Sequence, residues 1–81
     1  MTQVEWQVEH TDTFAGEANY SWVVRESFTM PESATQRQIV RRAKELIGET
    51  GNPNRTEYYN GDTYQLDYPG RCVRTFIVAQ Y

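Results

Sequence analysis

Residues 33–48, SATQRQIVRRAKELIG, decide how this chain folds, because only here do apolar residues recur with a helical period. Ile39, Val40, Ala43, Leu46 and Ile47 fall three and four positions apart and form one stripe. Ser33 followed by Gln36 matches a capping box and predicts the helix start, with Thr35 and Gln38 offering the same arrangement two residues later. Arg37, Arg41 and Lys44 share the side opposite the stripe, and Arg41 with Glu45 makes a four-residue charge pair that supports the helix. Gly48 or Gly51 ends it, and Asn52-Pro53-Asn54 prevents its resumption.

Outward from the helix the period changes to two. Residues 3–10 alternate strictly, with Val4, Trp6 and Val8 on one side and Gln3, Glu5, Gln7 and Glu9 on the other, which predicts a strand with one dry face. The turn formers of residues 11–18 predict a connection longer than a tight hairpin needs, with Gly16 free to take a positive φ. From Asn19 to about Thr29 a second strand puts Tyr20, Trp22, Val24 and Phe28 on one face, interrupted by Glu26, until Pro31 closes it. After the helix, Thr56 to Tyr59 form a short strand. Asn60-Gly61 favours a type I′ turn into Asp62 to Tyr68, and Pro69-Gly70 turns the chain into a last strand. That strand is apolar on both sides near its end, as suits a position inside the sheet. The expected fold is α+β, ordered ββαβββ, with one helix on one face of a mostly antiparallel five-stranded sheet and a core of Trp6, Trp22, Phe28 and Phe76 beneath Ile39, Ala43, Leu46 and Ile47.

Eighty-one residues make a single domain, 1–81, which buries only roughly 60 to 65% of its unfolded surface. Six Tyr, three Phe and two Trp therefore carry the core. One cysteine, Cys72, rules out an intrachain disulfide, and no apolar run reaches the ~20 residues of a membrane span. With no basic-then-apolar leader at the start, a cytoplasmic location is expected. The net charge of −3 conceals a division. Residues 1–34 carry Glu5, Glu9, Asp12, Glu17, Glu26 and Glu32 against Arg25 alone, whereas residues 35–55 carry Arg37, Arg41, Arg42, Lys44 and Arg55 against Glu45 and Glu49.

Catalytic chemistry finds little footing in these residues. His10 and Asp12 at a strand end read as surface residues of a turn, Cys72 at the start of an apolar strand reads as a buried thiol, and one His with one Cys cannot close a zinc site. No phosphate loop or nucleophile elbow is present, so neither a catalytic residue, a metal nor a cofactor is expected. Two surfaces remain. Glu5 and Glu9 on one strand face, continued by Asp12 and Glu17 beside Phe14 and Tyr20, form an acidic hairpin suited to a basic protein surface. Arg37, Arg41, Arg42 and Lys44 form a basic helix face suited to phosphates.

The stretch from Thr11 to Trp22, together with Ile39-Val40-Arg41-Arg42-Ala43-Lys44, resembles small, mostly uncharacterised proteins of phages and prophages. The resemblance covers most of the chain and carries no defined activity. It implies a phage context, in which small acidic proteins act by binding host machinery, as anti-CRISPR proteins do. The expectation is therefore a non-enzymatic binder of a host protein or ribonucleoprotein complex that works through its acidic hairpin. The alternatives are a nucleic-acid-binding domain using the basic helix face, and a virion structural or assembly component.

Overall fold

The computed structural model describes residues 2–15, 17–49, 53, 55–59 and 61–80. Five strands and one helix follow in the expected order: β1 (Gln3–Phe14), β2 (Glu17–Pro31), α1 (Gln36–Ile47), β3 (Arg55–Tyr59), β4 (Thr63–Tyr68) and β5 (Val73–Gln80). All neighbouring strands run antiparallel, in the order β2-β1-β5-β4-β3. The last strand is thus the central one, which accounts for its apolar residues on both faces.

The helix packs on β1 and β2. Ile39 and Ala43 are buried, with Val40, Leu46 and Ile47 partly so, against Trp6, Val8, Phe28, Tyr64, Leu66, Ile77 and Ala79. Two of the aromatics expected in this core lie elsewhere. Phe76 stands opposite Glu9 and Gln65 on the outer face of the sheet, and Trp22, beyond the helix, is 43% exposed. Tyr64 and Tyr68 of β4 take their places, because alternation along β4 turns both towards the helix side.

The helix begins later than Ser33. Ala34 N–H donates to Pro31 C=O at 2.9 Å, so Ser33 is spent in a turn. Thr35 is the cap: its Oγ1 accepts from Gln38 N at 3.2 Å, and its own N–H donates to Gln38 Oε1 at 2.9 Å. At the other end Gly48 adopts φ +73°, the left-handed conformation that glycine takes at least cost, and Glu49 N–H reaches back to Lys44 C=O at 2.9 Å. Among the described residues no ion pair joins Arg41 to Glu45.

The first hairpin is where sequence and structure part most. β1 continues to Phe14, and Phe14 stands directly opposite Glu17, so the connection is two residues rather than a long loop. The conformation of Gly16 lies outside the described residues. The turn formers are absorbed by a bulge instead: Thr11 pairs with Val23 and Thr13 with Ala18, leaving Asp12 alone opposite residues 19–22. At the β3–β4 turn, a type I′ turn on Asn60-Gly61 requires Tyr59 opposite Asp62, whereas Tyr59 stands opposite Thr63. Gly61 there has φ +71°, and Asn60 lies outside the described residues.

A 12-residue helix spans about 18 Å, while the strands of a 12- to 15-residue hairpin span about 40 Å or more. The molecule measures 42 × 24 × 21 Å. The far half of the β1–β2 hairpin therefore extends past the helix that would otherwise cover it. No helix among the described residues is long and apolar enough to cross a membrane.

Candidate functional site

The projecting half of the hairpin is organised by Thr11 and Asp12. Thr11 is fully buried; its Oγ1 accepts from Tyr20 N at 3.1 Å and donates to Trp22 C=O at 2.9 Å. Asp12 Oδ1 accepts from Ser21 N at 3.0 Å, and Oδ2 from Ser21 Oγ at 2.6 Å and Asn19 Nδ2 at 3.0 Å. These hydrogen bonds replace the ladder bonds that the bulge interrupts, and they hold Tyr20 at φ +56°, outside the usual range for a side-chain-bearing residue. The side-chain bond from Ser21, followed by that from Asn19, stabilises the charged carboxylate and lowers the Asp12 pKa to about 2.

Large apolar side chains result on the surface. Phe14 is 74% exposed, Tyr20 49%, Trp22 43% and Val24 39%. Tyr58 of β3, at 49%, is the remaining large exposed one among the described residues. The sequence pattern placed Trp22 in the core and Val24 on the same strand face; their exposure follows from the helix stopping short of them.

A buried polar cluster lies beneath Trp22. His10 is buried, not a surface turn residue, because β1 runs on past it; its Nδ1 lies 2.7 Å from Thr75 Oγ1, and the Trp22 ring packs over it at 5.4 Å between centroids. Burial lowers the His10 pKa, and the smaller, opposing pull of Glu49 does not overcome it. Glu49, also buried, pairs with Arg71 and lies 3.9 Å from His10 Nε2. Arg71 in turn sits over the Tyr68 ring at 5.8 Å. Burial pushes the Tyr68 hydroxyl up to about 12. Cys72 is exposed rather than buried; it has φ +53° and precedes β5, outside the apolar strand in which the sequence pattern puts it. Thr75 is fully buried, so the His10–Thr75 pair offers no accessible nucleophile.

The residues read as an acidic surface are dispersed. Glu5 is exposed on the outer face opposite Gln80 and Thr29, seven residues or about 23 Å from Asp12 along the strand. Glu9 pairs with Arg25 at 3.0 Å and accepts a hydrogen bond from Tyr20, which raises the Tyr20 pKa. Asp12 is committed to the bulge. Only Glu17, beside Phe14, belongs with the exposed aromatics. The surface is thus more aromatic than acidic.

On the helix, Arg37, Arg41 and Lys44 line a cleft of about 780 Å³ facing Pro53 and Thr56, and Arg42, which points elsewhere, is exposed. Among the described residues no three His, Cys, Asp or Glu side chains are grouped to hold a metal ion. Comparison with protein-family models, curated proteins and solved structures returns no match to this chain.

Proposed function

We propose that this chain is a non-catalytic binding protein whose distal β1–β2 hairpin docks into a host protein or ribonucleoprotein complex. One observation carries the reading: of the five large exposed apolar side chains among the described residues, Phe14, Tyr20, Trp22 and Val24 sit on the part of one hairpin that outreaches the core. Trp22, seated on His10 on the helix side, and Tyr20, bonded to Glu9 on the outer face, put an exposed aromatic on each side of this segment, and aromatics are the residues that interface centres favour. Thr11 and Asp12 fix the segment before any partner arrives, so less ordering entropy is lost on association. Glu17, exposed opposite Phe14, favours a partner whose apolar pocket carries a cation at its rim. With the phage-type resemblance of residues 11–22, the reading becomes an inhibitor of a host-defence or nucleic-acid-handling complex, of the anti-CRISPR kind.

Capture from host lysate on immobilised protein, with mass spectrometry of what is retained, tests the reading. A discrete complex should be retained by the wild type and lost on Phe14→Ala with Trp22→Ala. Undiminished capture by that double variant would rule the hairpin out as the docking surface.

A further inference from the structure

We infer that the cleft between α1 and β3 is a second binding site, separate from the hairpin, and that it takes a short single-stranded nucleic acid, with phosphates on Arg37, Arg41 and Lys44 and a base stacked on Tyr58. The three cations sit at positions i, i+4 and i+7 of the helix, so they fall in a line about 10 Å long. That spacing presents a row of positive charge to successive phosphates. All three line the cleft. Among the described residues none of them is engaged in an ion pair or hydrogen bond. The neighbouring Glu49 is already paired with Arg71, which leaves Glu45 as the cleft's one carboxylate without a counterion among those residues.

The wall opposite the helix supplies the aromatic. Thr56, which lines the cleft, and Tyr58 stand opposite Leu66 and Tyr64, and so share the helix-side face of β3 about 7 Å apart. The Tyr58 ring stacks on Tyr64 at 4.5 Å, and Tyr64 packs on Trp6 at 5.6 Å. Its hydroxyl donates to Gly61 C=O at 2.5 Å. One ring face is thus backed by the core, the hydroxyl is tied down, and the remaining 49% exposure presents the other face to solvent. A cationic row beside a fixed aromatic platform binds single strands, because each base offers a π-face once unpaired. A duplex keeps its bases stacked and cannot use Tyr58.

Fluorescence anisotropy with labelled oligo-thymidylate of about 15 nucleotides tests the inference. Three phosphate contacts give a salt slope of about −2 for a single strand, so affinity should fall about 20-fold between 50 and 200 mM salt. Arg37→Gln, Arg41→Gln and Lys44→Gln together should abolish binding while the helix keeps its circular dichroism. Tyr58→Ala should weaken binding roughly five-fold or more, and Tyr58→Phe should retain it. Glu45→Gln should tighten it, and Phe14→Ala with Trp22→Ala should leave it unchanged, which separates this site from the hairpin. Absence of binding at 50 mM salt, equal affinity for a duplex of the same length, or full binding by the triple glutamine variant would each overturn the inference. If Tyr58→Ala does not fold, the triple variant and the duplex comparison still decide it.

Discussion

Replacing Thr11 by Val removes one oxygen from a fully buried position while keeping the shape and improving the β-propensity. That oxygen holds both Tyr20 N–H, at 3.1 Å, and Trp22 C=O, at 2.9 Å. Each lost hydrogen bond removes about 1 kcal/mol net, and more where the abandoned group stays dry. The bulge is half-exposed, so water reaches part of it and the lower figure applies, giving a destabilisation of about 2 kcal/mol. In a domain of this size that corresponds to about 8 to 16 °C in Tm. Thr11→Ser keeps the oxygen and loses a methyl, costing roughly 0.5 to 1.5 kcal/mol. Urea titration of the three proteins gives the stabilities, and amide exchange at Tyr20 gives the local effect. The valine variant should be the least stable and should lose protection at Tyr20. It should also lose partner capture although every exposed aromatic is still present. A valine variant as stable as the serine variant, with Tyr20 still protected, would refute the role given to this hydroxyl.

Other outcomes follow from burial and charge. Trp6→Ala should cost roughly 3 to 5 kcal/mol in denaturant titration, whereas Trp22→Ala, at a half-exposed position, should cost less than about 1.5 kcal/mol; equal costs would contradict the placement of Trp22 outside the core. His10 titrates below its ordinary 6.5 because it is buried, so the unfolded chain takes up the proton first. Its contribution is complete above pH 6.5 and is lost as pH falls below that value through the folded pKa; NMR titration of the imidazole and unfolding midpoints between pH 5 and 8 check the sign. For Asp12 the folded pKa of about 2 lies below 3.8, so its carboxylate stabilises the bulge above pH 3.8 and ceases to do so as pH falls through 2. Carboxyl-carbon NMR should show that midpoint, and Ser21→Ala should move it upward.

Much of the architecture can be read in one dimension because it rests on period. The alternation of Val4, Trp6 and Val8, the stripe from Ile39 to Ile47 and the double-sided apolar character of β5 each depend on near neighbours, and each was legible. What escaped depends on partners far apart in sequence. Thr11 and Asp12 look like turn residues until a bulge gives their oxygens something to hold. His10 and Glu49 look solvent-bound until the fold brings Thr75 and Arg71 to them. Trp22 and Phe76 have the composition of core residues, and only the length of the helix and the register of β5 exclude them. For the candidate sites, Phe14 was legible in a turn-rich stretch, but the strand period puts Tyr20 on the face of Trp22 and Val24, whereas the bulge sends its hydroxyl to Glu9 on the outer face. The dispersal of Glu5, Glu9 and Asp12 was not, because strand length and pairing decide it. The row of Arg37, Arg41 and Lys44 was visible, but the cleft it lines needs β3 opposite.

The central position of β5 bears on how the chain reaches this state. His10 meets Thr75 across 65 residues, and β1 has no neighbour on that side until β5 arrives. At about 5 to 20 residues per second of synthesis, the inner edge of β1 waits on the order of 3 to 13 seconds, displaying Trp6 and Val8 without their final covering. Such a strand is open to incorrect pairing during that interval, and the late closure of so wide a loop predicts slow folding for a domain this small. Nascent chains stalled on the ribosome before residue 73 should therefore be sensitive to protease in their first hairpin.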